Sequence, residues 1–130
     1  MKLILVVEPD DTMRENIGEI LEISGYRVEY AVDGLEGLQK LFSLLPDLVV
    51  CNMSLPGMAG DELIEALQMS PKTKDIPYIL LTPTREVGHL WKNIPAYPIN
   101  YLSIPFGYER LKNAVESHLK PVRFSLQNVS

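Results

Sequence analysis

The stretch from Leu48 to Gly60 constrains this chain most. Leu48, Val49, Val50 and Cys51 make an unbroken apolar run, and Asn52-Met53-Ser54-Leu55-Pro56-Gly57-Met58-Ala59-Gly60 turns it at once into a polar elbow. A run with no apolar–polar alternation is what a parallel strand covered on both faces requires, and open α/β sheets place their sites at the carboxyl ends of such strands. A site is therefore expected at Asn52, whose side chain is an uncharged amide and a poor nucleophile.

The rest of the chain reads as units of the same kind. Leu3-Ile4-Leu5-Val6-Val7 is a buried strand stopped by Glu8-Pro9-Asp10-Asp11, because proline cannot donate to a ladder. Thr12 and Glu15 have capping-box spacing and open a helix with Met13, Ile17, Ile20 and Leu21 at helical period, ended by Ser24-Gly25. Tyr26 to Ala31 reads as the second strand. Asp33 with Glu36 opens a helix whose expected apolar face is Leu35, Leu38, Leu41, Phe42 and Leu45, ended by Pro46. After the elbow, Asp61 to Met69 carries Leu63, Ile64 and Leu67 at helical spacing. Tyr78 to Leu81 is a fourth buried strand, closed by Thr82-Pro83-Thr84. Arg85 to Asn93 is a weak helix containing Gly88 and hemmed in by prolines. Asn100 to Ser103 is a short fifth strand, and Glu109 to Leu119 a fifth helix with Leu111, Ala114, Val115 and His118 on one face.

Five strands alternating with five helical patterns imply right-handed βαβ units, a parallel sheet and helices on both of its faces. The order 2-1-3-4-5 sets the first and third strands side by side and brings Glu8, Asp10 and Asn52 into one crevice.

With 130 residues, 46% of them hydrophobic, residues 1–120 are expected to form one domain with its own core, and residues 121–130 a tail or the start of a linker. A net charge of −5 without a basic cluster argues against direct binding to nucleic acid. No apolar run is long enough for a bilayer. One cysteine and no leader-like start point to a cytoplasmic protein. Cys51 reads as a small core residue, His89 and His118 have no partner at metal-ligand spacing, and Ser54 reads as a turn residue bonding backbone.

The landmarks together resemble the receiver domain of bacterial two-component response regulators, which has a flavodoxin-like doubly wound fold. They are Glu8 closing the first strand, Met53 to Gly60 after the third, Ile76-Pro77 before the fourth, Leu81-Thr82 closing it, and Tyr101 to Phe106 around the fifth. The resemblance covers roughly residues 2 to 120. In that family an Asp closing strand three accepts phosphate, two acids after strand one hold Mg²⁺, a Thr or Ser closes strand four, and a Lys precedes the Pro-Phe after strand five. By position these fall on Asn52, on Glu8 and Pro9 (with Asp10 beside them), on Thr82 and on Ile104. Only Thr82 keeps the family's chemistry.

The departures remove three separate requirements. An amide cannot form an acyl phosphate, Pro9 and Asn52 give Mg²⁺ two charges fewer than it needs to shed water, and Ile104 leaves the transferring oxygens without a cation. Asp10 and Asp11 read as helix caps rather than substitute metal ligands, since acids at a helix start meet its dipole. The expectation is a degenerate receiver, with no catalytic residue and no Mg²⁺ or other cofactor, acting by protein–protein interaction in a phosphorelay. Its partners would be other signalling proteins or an output domain, fused or separate. Five of the ten aromatics fall between residues 91 and 108, so Trp91 and Tyr101 are candidate partner-face anchors, and a homodimer through the fourth helix, fifth strand and fifth helix is a candidate assembly. Two alternatives stand beside this reading: a receiver phosphorylated with Mg²⁺ at a non-standard acidic site, and a flavodoxin-like small-ligand binder.

Overall fold

The computed structural model describes residues 1–83 and 100–119. Strands β1 (Leu3–Val7), β2 (Arg27–Ala31), β3 (Leu48–Asn52), β4 (Tyr78–Thr82) and β5 (Tyr101–Ser103) pair in parallel in the order β2-β1-β3-β4-β5. Helices α1 (Asp11–Ile23), α2 (Gly34–Leu44), α3 (Gly60–Met69) and α4 (Tyr108–Leu119) cover it. α4 is the fifth helix expected from the sequence. The helix expected at 85–93, with His89 and Trp91, and the tail at 121–130 lie outside the described residues.

The unbroken apolar runs are explained by burial on both faces. Leu5, Val7, Val49, Cys51, Tyr78 and Leu80 point to one side, against Leu41 of α2 and Leu63, Ile64 and Leu67 of α3. Ile4, Val6, Leu48, Val50, Ile79, Leu81 and Leu102 point to the other, against Ile17 and Leu21 of α1 and Leu111 and Val115 of α4. Each such side chain contributes about 1.5–3 kcal/mol on leaving water, so the two half-cores fix the register. That register sets Ile4 beside Leu48 and Val7 beside Cys51. The next residues along, Glu8 and Asn52, therefore meet at the carboxyl edge.

Of the two caps that the sequence suggests for α1, Asp10 prevails over Thr12 with Glu15: its Oδ2 accepts from the Met13 N–H at 2.8 Å. A carboxylate is at least as good a cap as a hydroxyl and gains from the helix dipole, so the helix starts earlier. The α2 cap does fall at Asp33, which accepts from the Glu36 N–H, while Glu36 reaches back to the N–H of Val32.

The buried face of α2 is only part of the expected apolar stripe, namely Leu41 with Leu38 packed beside it. Gly34, Gly37 and Leu41 are buried, whereas Leu35 is 63%, Phe42 40% and Leu45 49% exposed. A Cβ on Gly37 would lie 3.1 Å from both Val7 methyls and 3.3 Å from Leu63. The helix uses the missing side chains to lie close on the sheet, so that Leu41 and Leu38 meet the core while Leu35, Phe42 and Leu45 turn outward.

Candidate functional site

The crevice lies where β1 and β3 end. Glu8 directly follows β1, and its N–H extends the ladder by donating to Ala31 O at 3.0 Å. Its side chain is only 1% exposed, and both carboxylate oxygens are engaged: Oε2 accepts from the Asp10 N–H at 2.9 Å and Oε1 from Asn52 Nδ2 at 2.8 Å. Asn52 is the last residue of β3, and its Oδ1 accepts from the Ser54 N–H at 2.8 Å. The amide's orientation follows from its neighbours, since a carboxylate can only accept and a backbone N–H can only donate. Arg14 of α1 closes the near side, donating from Nη1 to the Glu8 carbonyl at 3.0 Å and from Nη2 to Asp11.

The elbow is braced from both ends. Gly60 N–H donates to Met53 O at 2.9 Å, and Met53 N–H donates to Leu81 O of β4 at 2.9 Å. Pro9 lies across a shallow cleft from Met53, Ser54, Leu55, Pro56, Ala59 and Asp61. Thr82 is fully buried at the end of β4, beside Ser103, and its carbonyl accepts from the Ile104 N–H at 2.7 Å. Ile104, in a cis peptide with Pro105, packs its side chain against the core on the α1 and α4 side. It brings no charge to the crevice.

These residues do not fit Mg²⁺. The ion needs about six oxygens near 2.1 Å and enough negative charge to offset its dehydration. Pro9 has no donor atom, Asn52 turns a nitrogen toward Glu8, the Asp10 carboxylate caps α1, and both Glu8 oxygens are already bonded. Among the described residues no group of three His, Cys, Asp or Glu could hold a metal ion.

Of the residues singled out in the sequence, Glu8 and Asn52 meet directly. Asp10 joins them through its backbone, Thr82 closes the neighbouring strand, and Tyr101 lies half-buried on the edge strand β5, against the core. Burial, and then Tyr78, pushes the Tyr101 hydroxyl up to about 12. Cys51 is buried and donates to Asn52 O, and burial, with Glu8 and Asp61 next, pushes its thiol up. His118 is half-buried on α4, and Trp91 lies outside the described residues. Sequence reasoning missed Arg14, whose only signal was its spacing from Asp11, and it missed the direct bond between Glu8 and Asn52.

A family model described as the response regulator receiver domain matches residues 4–116. The chain is 29% identical over 120 residues to the DNA-binding dual master transcriptional regulator RpaA of Synechocystis, covering 92% of this chain and 50% of that protein. It is 35% identical over 109 residues to hybrid signal transduction histidine kinase D of Dictyostelium discoideum, covering 84% of this chain and 7% of the kinase. The chain thus spans half or less of these two relatives. Among solved structures, the chemotaxis response regulator CheY4 of Vibrio cholerae superposes with a TM-score of 0.84 at 27% identity, covering 92% of this chain and 99% of that one.

Proposed function

The chain belongs to the response regulator receiver domain family of two-component signalling, and from that premise we propose that it is a pseudo-receiver. It keeps the scaffold, takes no phosphoryl group, and signals through the proteins it binds. The observation that carries this reading is the Asn52 amide, which stands at the carboxyl end of β3 and spends its nitrogen on Glu8. A neutral amide offers no nucleophile for an acyl phosphate. Pro9 and Ile104 supply neither the second acid nor the cation that phosphoryl transfer in this family draws on, and Thr82 alone cannot replace them.

Incubation with acetyl phosphate and millimolar Mg²⁺ leaves the intact mass unchanged under this reading. A gain of one phosphoryl group, transient or stable, would sink it and favour a non-standard acceptor. We assign no catalytic residue to the chain. Residues 1–120 are the module, and residues 121–130 a tail or linker toward an output domain. The cytoplasm is the compartment that suits such a module, and no helix among the described residues is long and apolar enough to cross a membrane.

The partners in this reading are signalling proteins or an output domain, and Trp91 and Tyr101 belong to the face that meets them, a homodimer across it included. Aromatics that anchor interfaces typically lose about 2 kcal/mol or more of binding on truncation. Trp91→Ala and Tyr101→Ala therefore weaken association by that amount in sedimentation or pull-down measurements. Tyr101 also packs against the core, so its variant loses stability as well. Unchanged association in both variants would move the interface to another face.

A further inference from the structure

Among the described residues no buried side-chain nitrogen or oxygen lacks a hydrogen-bond partner, and the Glu8 carboxylate, the one buried acid at the strand ends, is satisfied from within the chain. Three bonds run in series across the sheet edge: the Asp10 N–H to Glu8, the Asn52 amide to Glu8, and the Ser54 N–H to Asn52. They join the β1–α1 loop to the β3–α3 elbow.

We infer that Glu8 and Asn52 are a matched latch, one carboxylate and one amide sharing a single charge, which holds these two loops together without metal or phosphate. The inference rests on the pseudo-receiver reading and deepens it by naming what fills the role a ligand would have. Its content is the polarity of the pair. Glu8 faces two donors, the Asp10 N–H and the Asn52 amide, and must offer two acceptors. Asn52 faces one acceptor and one donor and must offer one of each. A carboxylate meets the first demand and an amide the second.

Each single exchange breaks that match while preserving shape. In Glu8→Gln one NH₂ is turned toward a donor. In Asn52→Asp two carboxylates face each other across a contact now 2.8 Å long. Either change leaves a buried polar group unsatisfied or a buried charge opposed. The double exchange Glu8→Gln with Asn52→Asp restores all three bonds with the charge moved across. The amide now just after β1 accepts from the Asp10 N–H and donates to the carboxylate now at the end of β3, which in turn accepts from the Ser54 N–H.

The test is a double-mutant cycle on the full chain, read as thermal unfolding. Each single variant is expected to melt about 10 °C lower, the scale for unpairing a buried charged group in a chain of this size, and the double variant to return to within a few degrees of wild type. Should a single variant fail to fold, a folded double variant still reports the rescue. Additive losses in the double variant, or singles as stable as wild type, overturn the latch. A phosphoryl gain on the wild-type chain would sink the pseudo-receiver reading but leave the cycle intact, so the two failures are distinguishable.

Discussion

Gly60→Ala is expected to cost about 3 kcal/mol or more of unfolding free energy and to lower Tm by about 10 °C. Gly60 is the first residue of α3, and a Cβ there would sit 2.4 Å from Asn52 O and 2.8 Å from Met53 Cα. Both atoms are backbone, so no side-chain rotation relieves the clash, and the helix start must move off the end of β3. That movement strains the bond between Gly60 N–H and Met53 O, and it shifts the peptide that aims the Asn52 amide at Glu8. Gly57→Ala is the control. Gly57 has φ +78° with nothing within 4 Å of an added Cβ, so its cost is the left-handed backbone alone, about 1 kcal/mol. Paired melts followed by circular dichroism separate the two. A Gly60→Ala melt no lower than that of Gly57→Ala would mean that α3 does not approach β3 as closely as described.

The sheet was legible because one signal repeated. Each apolar run from Leu3, Leu48 and Tyr78 lacks alternation and ends in a polar residue, and those ends became the carboxyl edge. The strand order 2-1-3-4-5 is one of the common doubly wound orders open to such units, and the observed pairing bears it out. What could not be read was how helices choose between competing local options. Thr12 with Glu15 and Asp10 both read as caps of the first helix, and only the structure shows that Asp10 prevails. On α2 the leucines dominate the apolar pattern, yet Gly34 and Gly37 determine which side can approach the sheet. A hydrophobic stripe counts side chains, and close packing here depends on their absence.

The candidate site divides the same way. Proximity of Glu8 and Asn52 follows from strand order, and the residue types at Pro9, Asn52 and Ile104 are read from the sequence itself. The hydrogen bond between the two is not, because it depends on the Val7–Cys51 register and on Glu8 turning inward to 1% exposure. An acid at the end of a strand reads in a sequence as a ligand for something outside. Its partner proves to be inside the chain.

The protein is expected to lose stability on the alkaline side from about pH 8.5 upward, first through Cys51. Burial holds the Cys51 thiol protonated well above its ordinary range, with Glu8 and Asp61 adding to the effect. Burial also pushes Tyr101 and Tyr30 up from 10.0 to about 12, with the hydrogen bond to Glu22 contributing next at Tyr30. In each case the folded value lies above the unfolded one, so the unfolded chain releases its proton first. The associated stability is fully present below the unfolded value and falls as pH rises toward the folded one. For the fully buried Cys51 the slope approaches about 1.4 kcal/mol per pH unit. The tyrosines, which keep much of their surface in water, add a screened and smaller loss between pH 10 and 12. Urea midpoints at about pH 7, 9, 10 and 11 read this directly: wild type declines from about pH 9, and Cys51→Ala starts lower at neutral pH but stays flat until the tyrosines titrate. A wild-type midpoint unchanged up to about pH 10 would mean that the thiol is not held as buried and protonated as described. Because the thiolate is the reactive form, the same burial keeps Cys51 silent toward thiol reagents until the chain opens. On the pseudo-receiver reading proposed above, oxidation at the end of β3 is therefore no substitute for a phosphoryl signal.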